Sequence, residues 1–369
     1  MLATAQREKS LRGFKRIPTE EKRKWDSGAM REKPGISEEQ LRTCLREQYD
    51  LIAVTLDFLP LGLDSKAGVY RMVSEHGTPY LLKVKWGALY EPGCLVPRYL
   101  SDQGITAVVA PLPTKRQALW TQVQDWTVIV YPFIDGDTSW TGMTDEHWQE
   151  LGTIFKRIHQ VMPPPSGFAS LRKETFDPAE YVRWVRAFEA QHLHSRHGEH
   201  DSERALRSSW MAHQSTIDGV VITLEKLAKV LQSRSGPHVI CHADLHPANL
   251  IRDHAGRVFV IDWDDVMLAP KERDFLFVET PADSPAQQSP PPFFQGYRET
   301  EMDWTALAYY RYERVIQDVI AFAEEAIFRD DLGEETRANA LRFFDENLSE
   351  GGEIDAAYAA AKYLSSSGN

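Results

Sequence analysis

Three polar residues follow two apolar segments in the second half of the chain. The first segment ends at Cys241 and leads into a loop that holds Asp244 and, five positions later, Asn249. The second segment, 258–261, is followed by Asp262, thirteen residues after the asparagine. Carboxylate and amide oxygens bind Mg²⁺ well, and phosphoryl transfer needs such ligands together with a carboxylate beside the acceptor hydroxyl. The spacing therefore favours Mg²⁺-dependent phosphoryl transfer, with Asp244, Asn249 and Asp262 supplying these groups on two adjacent strand ends.

Other residues of this region allow simpler interpretations. His238, His242 and His246 are spaced four apart, which suggests a metal-binding stripe. The first two flank a strand, however, and Pro247 would break any helix, so the three rings should not share a face. We therefore expect His242 to be a structural hydrogen-bonding residue of the loop, and Cys241 to be a buried thiol.

A strand-like stretch in the first half of the chain, 80–85, carries Lys83 and Lys85. Positions two apart in a strand point to the same face, so both ammonium groups are candidates for contacting nucleotide phosphates. The pattern alone does not choose between them, and both could equally be surface charges. Glu91, which opens the following helix, is a candidate ion-pair partner for the phosphate-binding lysine.

The rest of the nucleotide site has weaker signals, because the sequence contains neither a Walker A motif nor a G-x-G-x-x-G run. The best candidate for the phosphate loop is 61–68, where backbone N–H groups and the Ser65 hydroxyl could approach phosphate. Tyr131, Pro132 and Ile134 lie between the last strand and the helical part of the chain. We expect this stretch to be the hinge whose backbone pairs with adenine.

The spacing of apolar residues along the sequence changes near residue 134. Strand-like patterns dominate before this point, whereas from Glu146 onward the apolar residues recur at helical spacing. We expect a poorly ordered arm over 1–35, a nucleotide-binding lobe over 36–134, and a helical lobe with the catalytic loop and substrate cleft over 135–369.

Two motifs in the chain carry a family resemblance. The stretch from His242 to Asn249, together with Ile261-Asp262-Trp263-Asp264, resembles the signature of the aminoglycoside phosphotransferase and choline kinase families. Further stretches, 81–85, 130–134, 267–274 and 309–315, are similar to a member of this family, and that similarity extends over roughly residues 37 to 350. It implies an α+β, protein-kinase-like bilobal fold, with a small N-terminal antiparallel β-sheet lobe and a larger, mainly helical C-terminal lobe. It also implies ATP or GTP, together with Mg²⁺, as cofactors.

The same resemblance implies roles for individual residues. Lys83 would be the phosphate lysine with Glu91 as its partner, Asp244 the catalytic base, and Asn249 and Asp262 the Mg²⁺ ligands. In such enzymes the helical lobe forms an acidic cleft for a cationic, sugar-like substrate. The candidates for that cleft are Asp264, Glu272, Tyr309, Glu313 and Asp318. For each carboxylate, a solvated helix face or an internal salt bridge is the competing interpretation.

The composition narrows the class of partner. The net charge of −12 disfavours a dedicated nucleic-acid binder and suits a small cationic substrate. The three cysteines form neither a disulfide framework nor a zinc pattern. Because no signal peptide or membrane-spanning apolar run is found, we expect a cytoplasmic monomer or dimer without nucleic-acid or membrane partners.

These observations lead to one main hypothesis and two alternatives. The main hypothesis is ATP- and Mg²⁺-dependent phosphorylation of a hydroxyl on a cationic aminocyclitol or aminoglycoside antibiotic, spectinomycin-like, for resistance or self-protection. The first alternative is a metabolic or natural-product kinase acting on choline, a sugar or an amino alcohol. The second is a non-catalytic nucleotide-binding module, which the presence of Asp244, Asn249 and Asp262 together disfavours.

Overall fold

The computed structural model describes residues 33–60, 67–138, 142–164, 166–193, 201–281, 283, 289–299, 301–328 and 333–364. Within these ranges the chain forms an antiparallel sheet lobe followed by a mainly helical lobe, as predicted. Ser65 and all but the last three residues of the predicted 1–35 arm lie outside the described residues. The three predicted domain limits stay predictions.

The first lobe is a five-stranded antiparallel sheet in the order β1-β2-β3-β5-β4. Its elements are α1 (Glu38–Cys44), β1 (Ala53–Leu59), β2 (Ala67–Ser74), β3 (Pro79–Trp86), α2 (Pro92–Asp102), β4 (Thr121–Val123) and β5 (Trp126–Pro132). Helix α1 begins with a capping box in which the Ser37 side chain accepts from Gln40 N and the Gln40 side chain accepts from Ser37 N. These two bonds satisfy backbone donors that the first helical turn cannot satisfy itself.

Strand β3 separates its apolar and basic side chains between the two faces of the sheet. Leu82 and Val84 are fully buried in the cluster that also contains Leu41 of α1. Because side chains alternate along a strand, Lys83 and Lys85 project from the opposite face. Helix α2 packs on that opposite face. The sheet therefore aims both lysines away from its α1 core and toward the second lobe.

The second lobe contains seven helices and six short strands in the described part of the chain. They are β6 (Gly136–Asp137), α3 (Asp145–Gln160), β7 (Arg172–Lys173), α4 (Ala179–His192), α5 (Asp201–Gln232), β8 (Val239–Cys241), β9 (Leu250–Asp253), β10 (Val258–Val260), β11 (Met267–Ala269), α6 (Pro292–Tyr297), α7 (Trp304–Ile327), α8 (Glu334–Leu348) and α9 (Glu353–Lys362). Two short 3₁₀ turns, Pro247–Asn249 and Lys271–Phe275, complete this lobe.

The short strands place the polar segments that the sequence singled out. Strands β9 and β10 form an antiparallel hairpin, whose turn includes Gly256 with a φ of 80°. That left-handed conformation is one that glycine adopts without steric cost. Strand β8 pairs with β11 in a separate three-stranded sheet. Val108 forms one parallel bridge with Val260 of β10.

Long amphipathic helices enclose the core of the second lobe. Helix α7 contributes buried residues along its whole length, including Leu307, Val315 and Val319. Among the helices in the described ranges, none combines the length and the apolarity that crossing a lipid bilayer requires.

Candidate active site

The loop that carries Asp244 is anchored through its backbone. The buried carboxylate of Asp274 accepts hydrogen bonds from His242 N at 3.0 Å and Ala243 N at 2.8 Å. A third bond joins Asp274 Oδ2 to His159 Nε2 at 2.9 Å. Ala243 has a φ of 69°, a left-handed conformation that costs an alanine roughly 1 kcal/mol. The two bonds from Asp274 hold this strained turn in place just before the predicted base.

His242 connects the two polar segments. Its Nε2 donates to the carbonyl of Ile261 at 2.9 Å, and its Nδ1 accepts from Asp244 N at 3.3 Å. The ring also packs edge-on against Trp263, with 4.8 Å between centroids. His242 is therefore the structural hydrogen-bonding residue that the sequence predicted, and it fixes the Asp244 segment beside the Asp262 segment.

Asp244 is half-buried and held at one oxygen. Asn249 Nδ2 donates to Asp244 Oδ2 at 3.0 Å and to the Asp244 carbonyl at 2.8 Å, while His246 Nε2 lies 3.2 Å from Oδ2. Burial by itself would raise the pKa of Asp244. The hydrogen bond from His246 and the charge of Arg314 are among the effects that outweigh burial and lower that pKa. The carboxylate is thus ionised near neutral pH.

Asp262 lies where the two lobes meet. Its Oδ1 is 2.8 Å from Lys83 Nζ, and the same ammonium is 2.9 Å from Asp264 Oδ2. Lys85 Nζ contacts Asp264 Oδ2 at 2.7 Å. Burial opposes the charge of Lys83, but the two carboxylates outweigh it and raise the pKa of this lysine. For Asp264, burial would raise the pKa, and the two lysines lower it.

The predicted ion pair between Lys83 and Glu91 is wrong for this structure. Within the described residues, Lys83 pairs with Asp262 and Asp264, and Glu91 is an exposed residue at the start of α2. The next turn explains the difference. A Cβ on Gly93 would lie 3.2 Å from the Trp263 carbonyl, so the start of α2 packs closely on the segment after Asp262. That approach places Asp264, rather than the helix glutamate, beside the lysines.

The predicted hinge residues Tyr131, Pro132 and Ile134 lie at the end of β5 and just after it, and their roles in binding nucleotide stay predictions. Pro132 ends β5 and pairs with Tyr80 across the sheet, while Tyr131 pairs with Leu81. Ile134 follows directly, between the two lobes and partly exposed.

The sequence comparisons bear on this geometry. The profile of the phosphotransferase enzyme family matches residues 69–308, which is more than half of the chain. The chain belongs to this phosphotransferase family. No curated protein matches the sequence at a significant level.

Solved structures resemble the phosphotransferase along most of its length. Spectinomycin phosphotransferase in complex with ADP and spectinomycin has a TM-score of 0.77 and 29% identity, covering 89% of this chain and 100% of its own. An aminoglycoside phosphotransferase from Alicyclobacillus acidocaldarius has a TM-score of 0.60 and 13% identity, covering 91% of this chain and 98% of its own. An amicoumacin kinase in complex with AMP-PNP and Ca²⁺ has a TM-score of 0.56 and 18% identity, covering 87% and 94%.

These similarities confirm the predicted family and the kinase-like fold. The last two structures share only the fold at their identities. The predicted class of enzyme, a phosphotransferase with an alcohol group as acceptor, is confirmed as well. The identity of the acceptor is a separate question, to which the predicted substrate residues are relevant.

Three of the five predicted substrate residues do not line a cleft in the phosphotransferase. Glu272 is 3% exposed and accepts a hydrogen bond from Asp303 N at 3.0 Å. Glu313 is buried and paired with Arg273, and Tyr309 is fully buried with its hydroxyl 3.3 Å from Glu313. Burial raises the pKa of Glu313 against the opposing charge of Arg273. For Glu313 the structure therefore contains the internal salt bridge that was the alternative to a substrate role.

Asp318 is buried as well, but its partner Arg314 is 34% exposed. Arg314 forms two contacts with it, Nε to Oδ2 at 3.0 Å and Nη2 to Oδ1 at 2.8 Å. Burial raises the pKa of Asp318 to about 6, despite the opposing charge of Arg314. Arg314 also lies over the Phe277 ring, 5.3 Å from its centroid, and that ring is 6.5 Å from the His246 ring. Asp318 therefore belongs to a line of contacts that reaches the catalytic loop.

Sequence reasoning missed His246, Phe277 and Arg314 as functional candidates. A signal existed for His246, which stands two residues after Asp244 in the same short loop. Phe277 and Arg314 had no signal of their own, because their proximity to the loop depends on how α7 packs against it.

A second group of titratable residues lies beneath the loop. His159, Cys241 and Asp274 place one ligand atom each within 4.8 Å of one another, all of them buried. Their atoms are already committed: Asp274 accepts three hydrogen bonds, and the Cys241 thiol contacts the Ala269 carbonyl at 3.6 Å. Burial raises the pKa of Cys241 well above its usual value, which keeps the thiol protonated. This group is a structural anchor of the phosphotransferase, and Cys241 is the buried thiol that was predicted.

Proposed function

We propose that this phosphotransferase uses ATP and Mg²⁺ to phosphorylate a hydroxyl of a small cationic aminocyclitol or aminoglycoside, with a spectinomycin-like molecule as the first candidate. The observation that carries the proposal is the meeting of Lys83, from the sheet lobe, with Asp262, from the helical lobe. Asp244 stands in the segment that His242 ties to Ile261, directly before Asp262. This arrangement supports Asp244 as the base, Lys83 as the phosphate-binding cation and Asp262 as a metal-binding carboxylate.

Asp244 is suited to act as the base. Asn249 and His246 hold its Oδ2, and no hydrogen bond to Oδ1 is found among the described residues. An acceptor hydroxyl at Oδ1 would be oriented for attack and would pass its proton to the carboxylate late in the reaction. The hydroxyl oxygen forms a bond to the γ-phosphorus, the bond from that phosphorus to the β,γ-bridging oxygen breaks, and ADP leaves with the electron pair.

Asn249 and Asp262 fit a hard divalent cation by the chemistry of their donors. The amide nitrogen of Asn249 is already committed to Asp244, so its oxygen is the atom that remains for a metal. Asp262 adds a carboxylate, which is 46% exposed even while it contacts Lys83. When bound, Mg²⁺ would neutralise charge on the nucleotide phosphates.

Lys83 would hold the phosphates, with the adenine against the stretch Tyr131–Ile134. The ammonium of Lys83 is shared between two carboxylates, and phosphate oxygens carry the same charge and hydrogen-bonding capacity. Pro132 has no N–H, so the donors of the hinge would come from its neighbours. The Ser65 hydroxyl would contribute from the predicted phosphate loop.

Two observations support a cationic aminocyclitol as the acceptor. The structure with 29% identity and full coverage of its own chain is bound to ADP and spectinomycin. The net charge of −12 also favours a cation over an anionic acceptor. Asp264, which is partly exposed, is the better remaining acidic candidate for contacting its ammonium groups, because Asp318 is buried and paired with Arg314.

A coupled nucleotide-consumption assay tests the proposal. ATP and GTP would be offered with Mg²⁺ and a panel of aminocyclitols, aminoglycosides, choline, sugars and amino alcohols, with Asp244→Asn as the matched control. We expect ATP consumption with an aminocyclitol or aminoglycoside, and none in the variant. Turnover of choline or a sugar without any antibiotic would reject the substrate, and nucleotide binding without turnover of any acceptor would reject the enzymatic role.

A further inference from the structure

The imidazole of His246 lies between the proposed base and the short turn that carries Asn249. Its Nε2 is 3.2 Å from Asp244 Oδ2. Its Nδ1 accepts a hydrogen bond from Ala248 N at 3.2 Å, which caps the 3₁₀ turn Pro247–Asn249. One ring therefore makes two different contacts, one with the base and one with the backbone.

The backbone contact determines what the other nitrogen can do. A ring nitrogen that accepts from a backbone N–H carries a lone pair and no proton, so the proton of neutral His246 lies on Nε2. Nε2–H is then a donor aimed at Asp244 Oδ2. Ala248 N thus sets the tautomer that the contact with the base requires.

The ring is also supported from its outer side. Phe277 meets it edge-on with 6.5 Å between centroids, and Arg314 covers Phe277 at 5.3 Å. The side chains of His246 and Asp244 are both 33% exposed, so the pair borders open space and is not locked in the core. Its orientation must come from these specific contacts.

Two donors on one carboxylate oxygen have a geometric consequence. His246 and Asn249 both approach Oδ2 of Asp244, so the carboxylate cannot rotate without losing both bonds. Oδ1 is then held in one direction, with no hydrogen bond of its own among the described residues. Because a misplacement of about 1 Å can cost roughly 100-fold in rate, the loss of one donor should be visible in turnover.

We propose that His246 is a positioning residue that, with Asn249, clamps Oδ2 of Asp244 and so presents Oδ1 to the acceptor hydroxyl. This inference rests on the proposed function, since it assigns His246 a part in the same transfer. It adds a requirement that the base alone does not have: a donor at the position of Nε2.

Two substitutions separate the contact of His246 with Asp244 from its hydrogen bond to Ala248 N. His246→Asn keeps an oxygen near the position of Nδ1, so it can still cap the turn, but it is too short to reach Asp244. His246→Gln keeps a donor near the position of Nε2. The matched control is His254→Asn on the exposed β9–β10 turn, where the side chain is 82% exposed.

The measurements are kcat, the KM for ATP and the acceptor, and Tm. We expect His246→Asn to lower kcat by about 10- to 100-fold, with the KM for ATP changed less than about 2-fold and Tm unchanged. His246→Gln should recover most of that loss, and His254→Asn should match the unaltered chain. The inference is overturned if His246→Asn turns over normally, if His246→Gln is no faster than His246→Asn, or if the KM for ATP rises as much as kcat falls. An unaltered chain that transfers phosphate neither to an acceptor nor to water would contradict the proposed function itself, whatever the variants do.

Discussion

The acidic residues of the catalytic loops and the buried Glu313 of helix α7 differ in what surrounds them. The Asp262 side chain is 46% exposed and the Asp244 side chain 33%, and among the described residues each is contacted at one carboxylate oxygen only. The Glu313 side chain is 9% exposed and is enclosed by Arg273 and Tyr309. A carboxylate that works on a ligand must keep a lone pair available, whereas one that holds the fold together has its hydrogen-bonding capacity consumed.

The comparison predicts that substitutions in one region lower activity, whereas substitutions in the other lower the free energy of unfolding. Changes at the loops should remove activity and spare stability, and changes at the buried acids of α7 should do the reverse.

Asp244→Ala should reduce phosphoryl transfer by about 1,000-fold or more, because it removes both the proton acceptor and the orientation of the hydroxyl. ATP binding, measured by calorimetry, should be retained, and Tm should change little. The control is Asp265→Ala, an exposed residue in the neighbouring segment paired with Arg172, which should keep normal turnover. Normal turnover in Asp244→Ala would remove the base from the mechanism.

Glu313→Ala should lower the free energy of unfolding by about 3–5 kcal/mol, because it leaves the buried Arg273 guanidinium without its partner. Urea denaturation gives this value directly. The double variant Arg273→Met with Glu313→Leu should recover much of the loss, since both charges are then gone. Glu346→Ala, which removes a 59% exposed side chain paired with Arg342, should cost at most about 1 kcal/mol. If Glu313→Ala instead folds normally and loses acceptor binding, the residue belongs to the substrate site after all.

Lys83→Met should lower kcat/KM for ATP by about 10- to 100-fold, the range expected for losing a charge-assisted hydrogen bond to phosphate. Lys85→Met should have an effect below about 5-fold, because Lys85 contacts Asp264 alone of the two carboxylates. Initial rates at varied ATP measure both. Equal effects would show that the two lysines share the phosphates, and a larger effect for Lys85 would reverse their assignment.

Asp318→Asn should flatten part of the pH dependence of stability. The pKa of Asp318 is raised to about 6, so the folded state binds the proton more tightly than the unfolded chain. Its contribution is therefore present at pH values below the usual aspartate pKa near 4, and it is lost as the pH rises through about 6.

Urea midpoints at pH 4.5 and pH 7.5 measure this smallest effect. The unaltered chain should lose about 1–2 kcal/mol more than Asp318→Asn between these two pH values, and Arg314, which is 34% exposed, remains solvated in the variant. Asp102→Asn, at a 59% exposed side chain, should leave the pH profile unchanged. Parallel profiles for Asp318→Asn and the unaltered chain would argue against a raised pKa.

The sequence was most informative where short stretches of chain hold the geometry. Asp244, Asn249 and Asp262 are joined by one loop and one hairpin, so their spacing already limits how far apart they can lie. The alternation in β3 likewise predicted that Lys83 and Lys85 share a face. In both places the local period of the backbone decides the outcome.

The sequence was least informative where a face meets a distant element. Helical spacing showed that Tyr309 and Glu313 share a side of α7, but it could not show that Arg273 covers that side. Similarly, a glutamate at the start of α2 looked like the partner of Lys83, and the close approach allowed by Gly93 gave that place to Asp264. In both cases tertiary packing determines the ion-pair partner, and the pattern of a single sequence does not show how distant elements pack.

The anchoring of the catalytic loop by Asp274 has a practical consequence. The Asp274 carboxylate accepts hydrogen bonds from the backbone amides of His242 and Ala243. These bonds do not involve the side chain of Asp244. The support is therefore indifferent to which side chain occupies position 244. Inactivated forms of this protein should keep the shape of the intact one, which makes them suitable for trapping nucleotide and acceptor together in a crystal before any phosphate moves.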